Sequence, residues 1–157
     1  MANPSLYGKL ADTATGFVLA SSPKNPGTNE PDPDRFLSYC APDFKQSWGH
    51  KYFVSTMPGL QGHVDGQGFL NHQARMAGRF QTWAIAPTDV SVDVEKRRAV
   101  VRADFHMTAM GKPDEPVLND IVYWITMDES GEKVVEAMEL VDPVAAAKLA
   151  EMMKPSP

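Results

Sequence analysis

Val117–Asp142 decides the fold: VLNDIVYWITM, then DESGEK, then VVEAMELVD. The two arms alternate with the period of a β-strand, and the acidic, glycine-containing hexapeptide between them reads as the turn of a hairpin. The odd positions of the first arm are Val117, Asn119, Ile121, Tyr123, Ile125 and Met127. Those of the second arm are Val135, Ala137, Glu139 and Val141, so one carboxylate stands in an apolar row. The even positions include Val122, Trp124, Val134, Met138 and Leu140. A sheet that is apolar on both faces must be covered on both. Helices of the same chain cover one face. A second copy of the chain is the simplest cover for the other, so a homodimer through Val122, Trp124, Met138 and Leu140 is expected.

The same period extends upstream. Val90, Val92 and Val94 alternate with polar residues, Glu95-Lys96-Arg97 reads as a tight turn, and RAVVRADFHMTAM places Ala99, Val101, Ala103, Phe105 and Met107 on one face. His106 falls on the polar row with Arg102 and Asp104, as a solvated or interface residue would. Downstream, Asp142-Pro143 is a cap followed by a first-turn proline and starts a helix through VAAAKLAEMM.

Before the strands the period is helical. Residues 4–20 carry Leu6, Tyr7, Leu10, Ala14, Phe17 and Val18 on one face, with Asn3-Pro4 as the expected start. Residues 21–34, SSPKNPGTNEPDPD, contain four prolines and read as a solvated connection or a lid. Asp32-Pro33 starts a short helix with Phe36, Leu37 and Cys40 inside. Phe44, Gln46 and Trp48 alternate as a short strand. A glycine- and aromatic-rich irregular segment with His50 and His63 follows, and Gly68–Phe80 reads as a third helix, with His72 and Gln73 placed so that at least one faces inward. The order predicts one α+β domain over 1–157, a cone-shaped curved antiparallel sheet wrapped around the N-terminal helices.

Composition narrows the function. The 157 residues are 43% apolar and 22% charged, with a net charge of -5. No basic stripe fits a nucleic acid, and no stretch approaches the roughly 20 apolar residues of a membrane span. Without a basic-then-apolar start, a cytoplasmic location is expected. The single cysteine excludes an internal disulfide. No compact histidine ligand spacing and no glycine-rich phosphate loop is present, so neither a metal nor another cofactor is expected.

The element order, together with VYWITMDESGEKVVEAMELVD, resembles the SnoaL-like, or nuclear-transport-factor-2-like, superfamily of α+β cones (cystatin-like α+β barrels). The likeness is greatest to its small fungal members, isomerases of meroterpenoid pathways. The resemblance implies that Glu139 points into the pocket, with Ala137 where relatives carry a bulky aromatic, and it turns Asn119, Ile121 and Tyr123 inward as well. Phe105 and Met107 stand where epoxide hydrolases of this fold carry Arg and Asp, and the ketosteroid isomerase base would fall near Ser47 or Trp48. Neither mechanism is reproduced.

An inward carboxyl is a candidate general acid or base, because desolvation moves its pKa toward neutrality. The plain alternative is a structural, hydrogen-bonded glutamate. His72 is the candidate partner, with His50 and His63 near the expected mouth. Trp48, Phe53, Phe69, Phe105 and Met107 are expected as walls, with His63, Asn119, Ile121 and Tyr123 as further contacts. A bulky, apolar small-molecule substrate follows from such a lining. The expected function is a cofactor-independent isomerase or cyclase on a terpenoid or polyketide intermediate. A dehydratase, an epoxide-opening hydrolase and a non-catalytic binding module are the alternatives.

Overall fold

A computed structural model describes residues 5–155. The elements follow in the order α1 (Leu6–Leu19), α2 (Pro33–Tyr39), β1 (Cys40–Gly49), α3 (Lys51–Ser55), a 3-10 turn (Pro58–Leu60), α4 (Gly66–Ala77), β2 (Phe80–Asp93), β3 (Arg98–Ala109), β4 (Val117–Met127), β5 (Val134–Leu140) and α5 (Pro143–Met152). This is the expected α+β architecture. Two features of the sheet differ from expectation. Its strand order is β1-β5-β4-β3-β2, and β1 runs parallel to β5, so the sheet is mixed. It is also curved but open, with β1 and β2 as edges, rather than a closed barrel.

Local chemistry sets the helix ends. Ser5 Oγ accepts the Gly8 N–H and starts α1, so the cap is Ser5, while Asn3 and Pro4 lie outside the described residues. Asp32 and Asp142 cap α2 and α5, each with proline at the first turn, as their sequences require. The third predicted helix, α4, begins earlier than expected because Asp65 Oδ1 takes the Gly68 N–H at 2.8 Å. It also ends earlier, and Phe80 starts β2 instead. No helix is long and apolar enough to cross a membrane among the described residues.

The parity of the hairpin holds along β4, where every odd residue from Val117 to Met127 is buried. On β5 it holds at Ala137 but slips earlier. Thr126 pairs with Glu136 while Met127 pairs with Val134, so Val135 is extra and Val134 turns into the core. The main core joins the α1 face (Leu10, Ala14, Phe17, Val18) to Phe36, Phe44 and the odd rows of β3 and β4. A second cluster of Ala77, Phe80, Trp83, Val117, Ala145 and Leu149 sits where α5 crosses the sheet. Between the two lies a cavity.

Candidate active site

The cavity has a volume of about 300 Å³. One row of the sheet defines its chemistry. Glu139 on β5 is the register partner of Trp48 on β1 and of Tyr123 on β4. Burial pushes the Glu139 carboxyl up from 4.5 to about 7, while hydrogen bonds from Tyr123 and Trp48 pull it down. Desolvation wins, because two donors do not replace the hydration shell of a carboxylate. The surface Glu139 retains lines the cavity. Tyr123 is held in place: Phe17 meets its ring edge-on at 6.5 Å and Phe105 stacks on it at 6.2 Å. Burial and the neighbouring Glu139 hold its phenol well above the usual tyrosine range.

His72 reaches the same cavity from α4, its ring 5.0 Å from that of Trp48. Burial, and secondarily Arg75, lower its pKa, so the imidazole is neutral at pH 7. A protonatable carboxyl and a neutral imidazole therefore share a mostly apolar chamber. Such a pair can take a proton from one carbon and return it to another without water.

Most of the expected lining is brought together. Trp48, Phe53, Phe69, Phe105, Met107, Asn119, Ile121 and Tyr123 all face the cavity. His50 and His63 do not. The chain leaves β1 at Gly49, so the alternation that turns Trp48 inward ends before His50. His50 lines a separate pocket with Asp120, Val122, Leu140 and Asp142 instead. His63 is exposed because its neighbour Val64, bridged to Gln46, takes the inward position. His106 is exposed on the outer row. Cys40, at the end of α2, has its thiol pushed up to about 12 by burial, which leaves it inert as a nucleophile.

Residues the sequence did not single out complete the chamber. Ala146, Leu149, Ala150 and Met153 show that α5 caps the cavity of its own chain. Met57 and Leu60 join Phe53 on the overhang between β1 and α4. Only Ser21 comes from the proline-rich loop, which is pinned elsewhere: Asn29 Nδ2 donates to the carbonyls of Ala77 and Phe80 at 3.3 and 3.0 Å. Ser21 O in turn accepts from Gln73 Nε2 at 3.2 Å and Trp83 Nε1 at 2.9 Å. The indole at position 83 was readable as a donor needing a partner, but its acceptor lies 62 residues away.

No protein-family model matches the sequence, and no curated protein sequence matches it significantly. Solved structures do match. BvnE pinacolase from Penicillium brevicompactum superposes with a TM-score of 0.75 at 15% identity, covering 94% of this chain and 96% of that one. PrhC from Penicillium brasilianum gives 0.76 at 15% identity, over 95% and 90%. A putative SnoaL-like polyketide cyclase from Jannaschia gives 0.69 at 14% identity, over 99% of both chains. The fold, with its curved open sheet, is that of the SnoaL-like, or nuclear-transport-factor-2-like, proteins.

Proposed function

We propose that the protein is a cofactor-independent isomerase or cyclase that acts on a bulky, apolar terpenoid or polyketide intermediate of fungal secondary metabolism. The observation that carries this reading is Glu139, a carboxyl with a pKa near 7 in a chamber walled by aromatic and aliphatic side chains. A group poised there exchanges protons in both directions at neutral pH. His72 serves as the second proton carrier. The apolar walls hold the substrate in one conformation. That neighbours of the same fold are named a pinacolase and a polyketide cyclase supports the reaction class. A cavity of about 300 Å³ also favours a ligand over a plugged interaction module.

The test is mass spectrometry of products from candidate terpenoid and polyketide intermediates in deuterated water. The expected product has the substrate's mass apart from exchanged deuterium. Loss of a water identifies a dehydratase, and gain of one an epoxide-opening hydrolase. Glu139→Gln and His72→Ala each lower turnover by about 100-fold or more for a lost proton carrier. Unchanged turnover in both variants sinks the assignment.

The homodimer belongs to the same proposal. Trp124 is 46% and Met138 38% exposed on the outer face, and the Arg98 guanidinium lies 5.4 Å over the Trp124 ring. With Val122 and Leu140 they form an apolar strip that a second copy would cover.

A further inference from the structure

Some polar groups of the cavity are committed to near neighbours, while others, such as Gln73 Oε1, are not. Gln73 Nε2 and Trp83 Nε1 both donate to Ser21 O. Trp48 and Tyr123 flank Glu139 as its register partners. Asn119 differs. Its Oδ1 accepts the backbone N–H of Asp142 at 3.1 Å, the residue that caps α5. That bond fixes the orientation of the amide, since a flipped side chain would set NH₂ against N–H. Nδ2 is left with only the Met107 thioether, at 3.9 Å. A thioether is a weak acceptor. Asn119 is 5% exposed. At Asn119 the cavity wall thus presents an oriented, poorly satisfied donor.

Its place along the strand matters. Asn119 and Tyr123 share a face of β4 four residues apart, and Tyr123 pairs with Glu139. At about 3.3 Å per residue, Asn119 lies roughly 13 Å along the strand from the row of the acid. A donor there does not reach charge that develops beside Glu139. It reads a remote part of the ligand.

We propose that Asn119 selects substrates with a carbonyl-type acceptor oxygen held at the end of the cavity remote from Glu139, on a rigid polycyclic skeleton long enough to bridge the two. This rests on the reading of the cavity as a ligand site, and it names what that ligand must carry. Asn119 contributes binding and orientation, and the proton transfer stays with Glu139 and His72.

The probes are 1-tetralone and tetralin, which share a skeleton and differ at the carbonyl. Calorimetric titration gives the ratio of their affinities, in which the shared apolar contribution cancels. Asn119→Leu is expected to shift that ratio about tenfold against the ketone, the loss of one hydrogen bond from a buried donor. Retained tetralin binding shows that the variant is folded and its cavity intact. In the wild type the ratio is expected to be the same at pH 5 and pH 9. A ratio that follows protonation near neutrality would assign the donor to Glu139 and overturn the proposal, and so would an unchanged ratio in the variant. Should Asn119→Leu fail to fold, the infrared carbonyl stretch of 1-tetralone bound to wild type decides. A shift to lower frequency than in hexane is expected, and an unshifted band overturns the inference. If neither probe binds wild type, it is the ligand-site reading that fails.

Discussion

Replacing Glu139 by Gln tests the electrostatics of the site without a substrate. The folded carboxyl titrates at about 7 against 4.5 for the free group, so it is the protonated form that the fold favours. Below pH 4.5 both states hold the proton and Glu139 costs nothing. Between 4.5 and about 7 the unfolded chain releases a proton that the folded chain keeps, so stability falls as pH rises. Above about 7 the full penalty is present. The gap, at about 1.4 kcal/mol per pH unit, amounts to roughly 3 kcal/mol. Gln is neutral throughout and of nearly the same shape. The stability difference between Glu139→Gln and wild type should therefore grow by about 3 kcal/mol from pH 4.5 to 8, with the variant gaining. His72 works in the opposite sense: its lowered pKa costs stability as pH falls below 6.5, but it is present in both proteins and cancels in the difference. Urea unfolding of both proteins at pH 4.5, 6, 7 and 8 measures the curve. A flat difference, or one that shrinks as pH rises, would show that the carboxyl is well solvated and refute the reasoning.

Tyr123→Phe keeps the ring packing but deletes a donor to Glu139. The apparent pKa in the same titration should rise above about 7, and the fold should lose about 1 kcal/mol; a lower midpoint contradicts the assignment. Gly16→Ala should destabilise α1 by roughly 1–3 kcal/mol, although alanine is the better helix former, because the new Cβ would meet the Tyr39 ring at Cζ 2.7 Å and Cε1 2.8 Å. A raised melting temperature would show that Tyr39 yields freely. Trp124→Asp should convert a dimer to a folded monomer in sedimentation velocity, with the far-ultraviolet circular dichroism unchanged, whereas a wild type already monomeric at micromolar concentration rules out the dimer.

The fold was legible where one row was the more continuous. Along β4 both faces carry apolar residues, but Asp120 and Thr126 interrupt the even row, and the structure turns the odd row, Val117 to Met127, inward. At Val134-Val135 both residues are apolar, so nothing local says which turns in, and the extra residue at Val135 reverses the expected parity there. Non-local pairings were not legible. The parallel docking of β1 on β5 joins Trp48 to Glu139, 91 residues apart by their numbers, and no local period encodes it. The same limit explains the two misplaced histidines. Their place in an irregular segment put His50 and His63 near the expected mouth, but with β1 ending at Gly49 no local alternation says which way His50 turns. It also explains why Gln73 and Trp83 were not recognised as parts of one arrangement, since what joins them is the carbonyl of Ser21.

The site is thus a consequence of the core. Tyr123 can aim its hydroxyl at Glu139 because Phe17 and Phe105 fix its ring, and Phe17 belongs to the α1 face buried against the sheet. The same strand carries Val122 and Trp124 outward between Ile121, Tyr123 and Ile125, so the proposed ligand wall and dimer wall are opposite faces of one layer of backbone. A rigid shift of β4 on losing the partner would move the Tyr123 hydroxyl relative to Glu139. Breaking the dimer with Trp124→Asp should then raise the apparent pKa of Glu139, as Tyr123→Phe does, although position 124 points away from the cavity. If the monomeric variant titrates identically to wild type, each cone sets its own acid and the dimer serves stability alone.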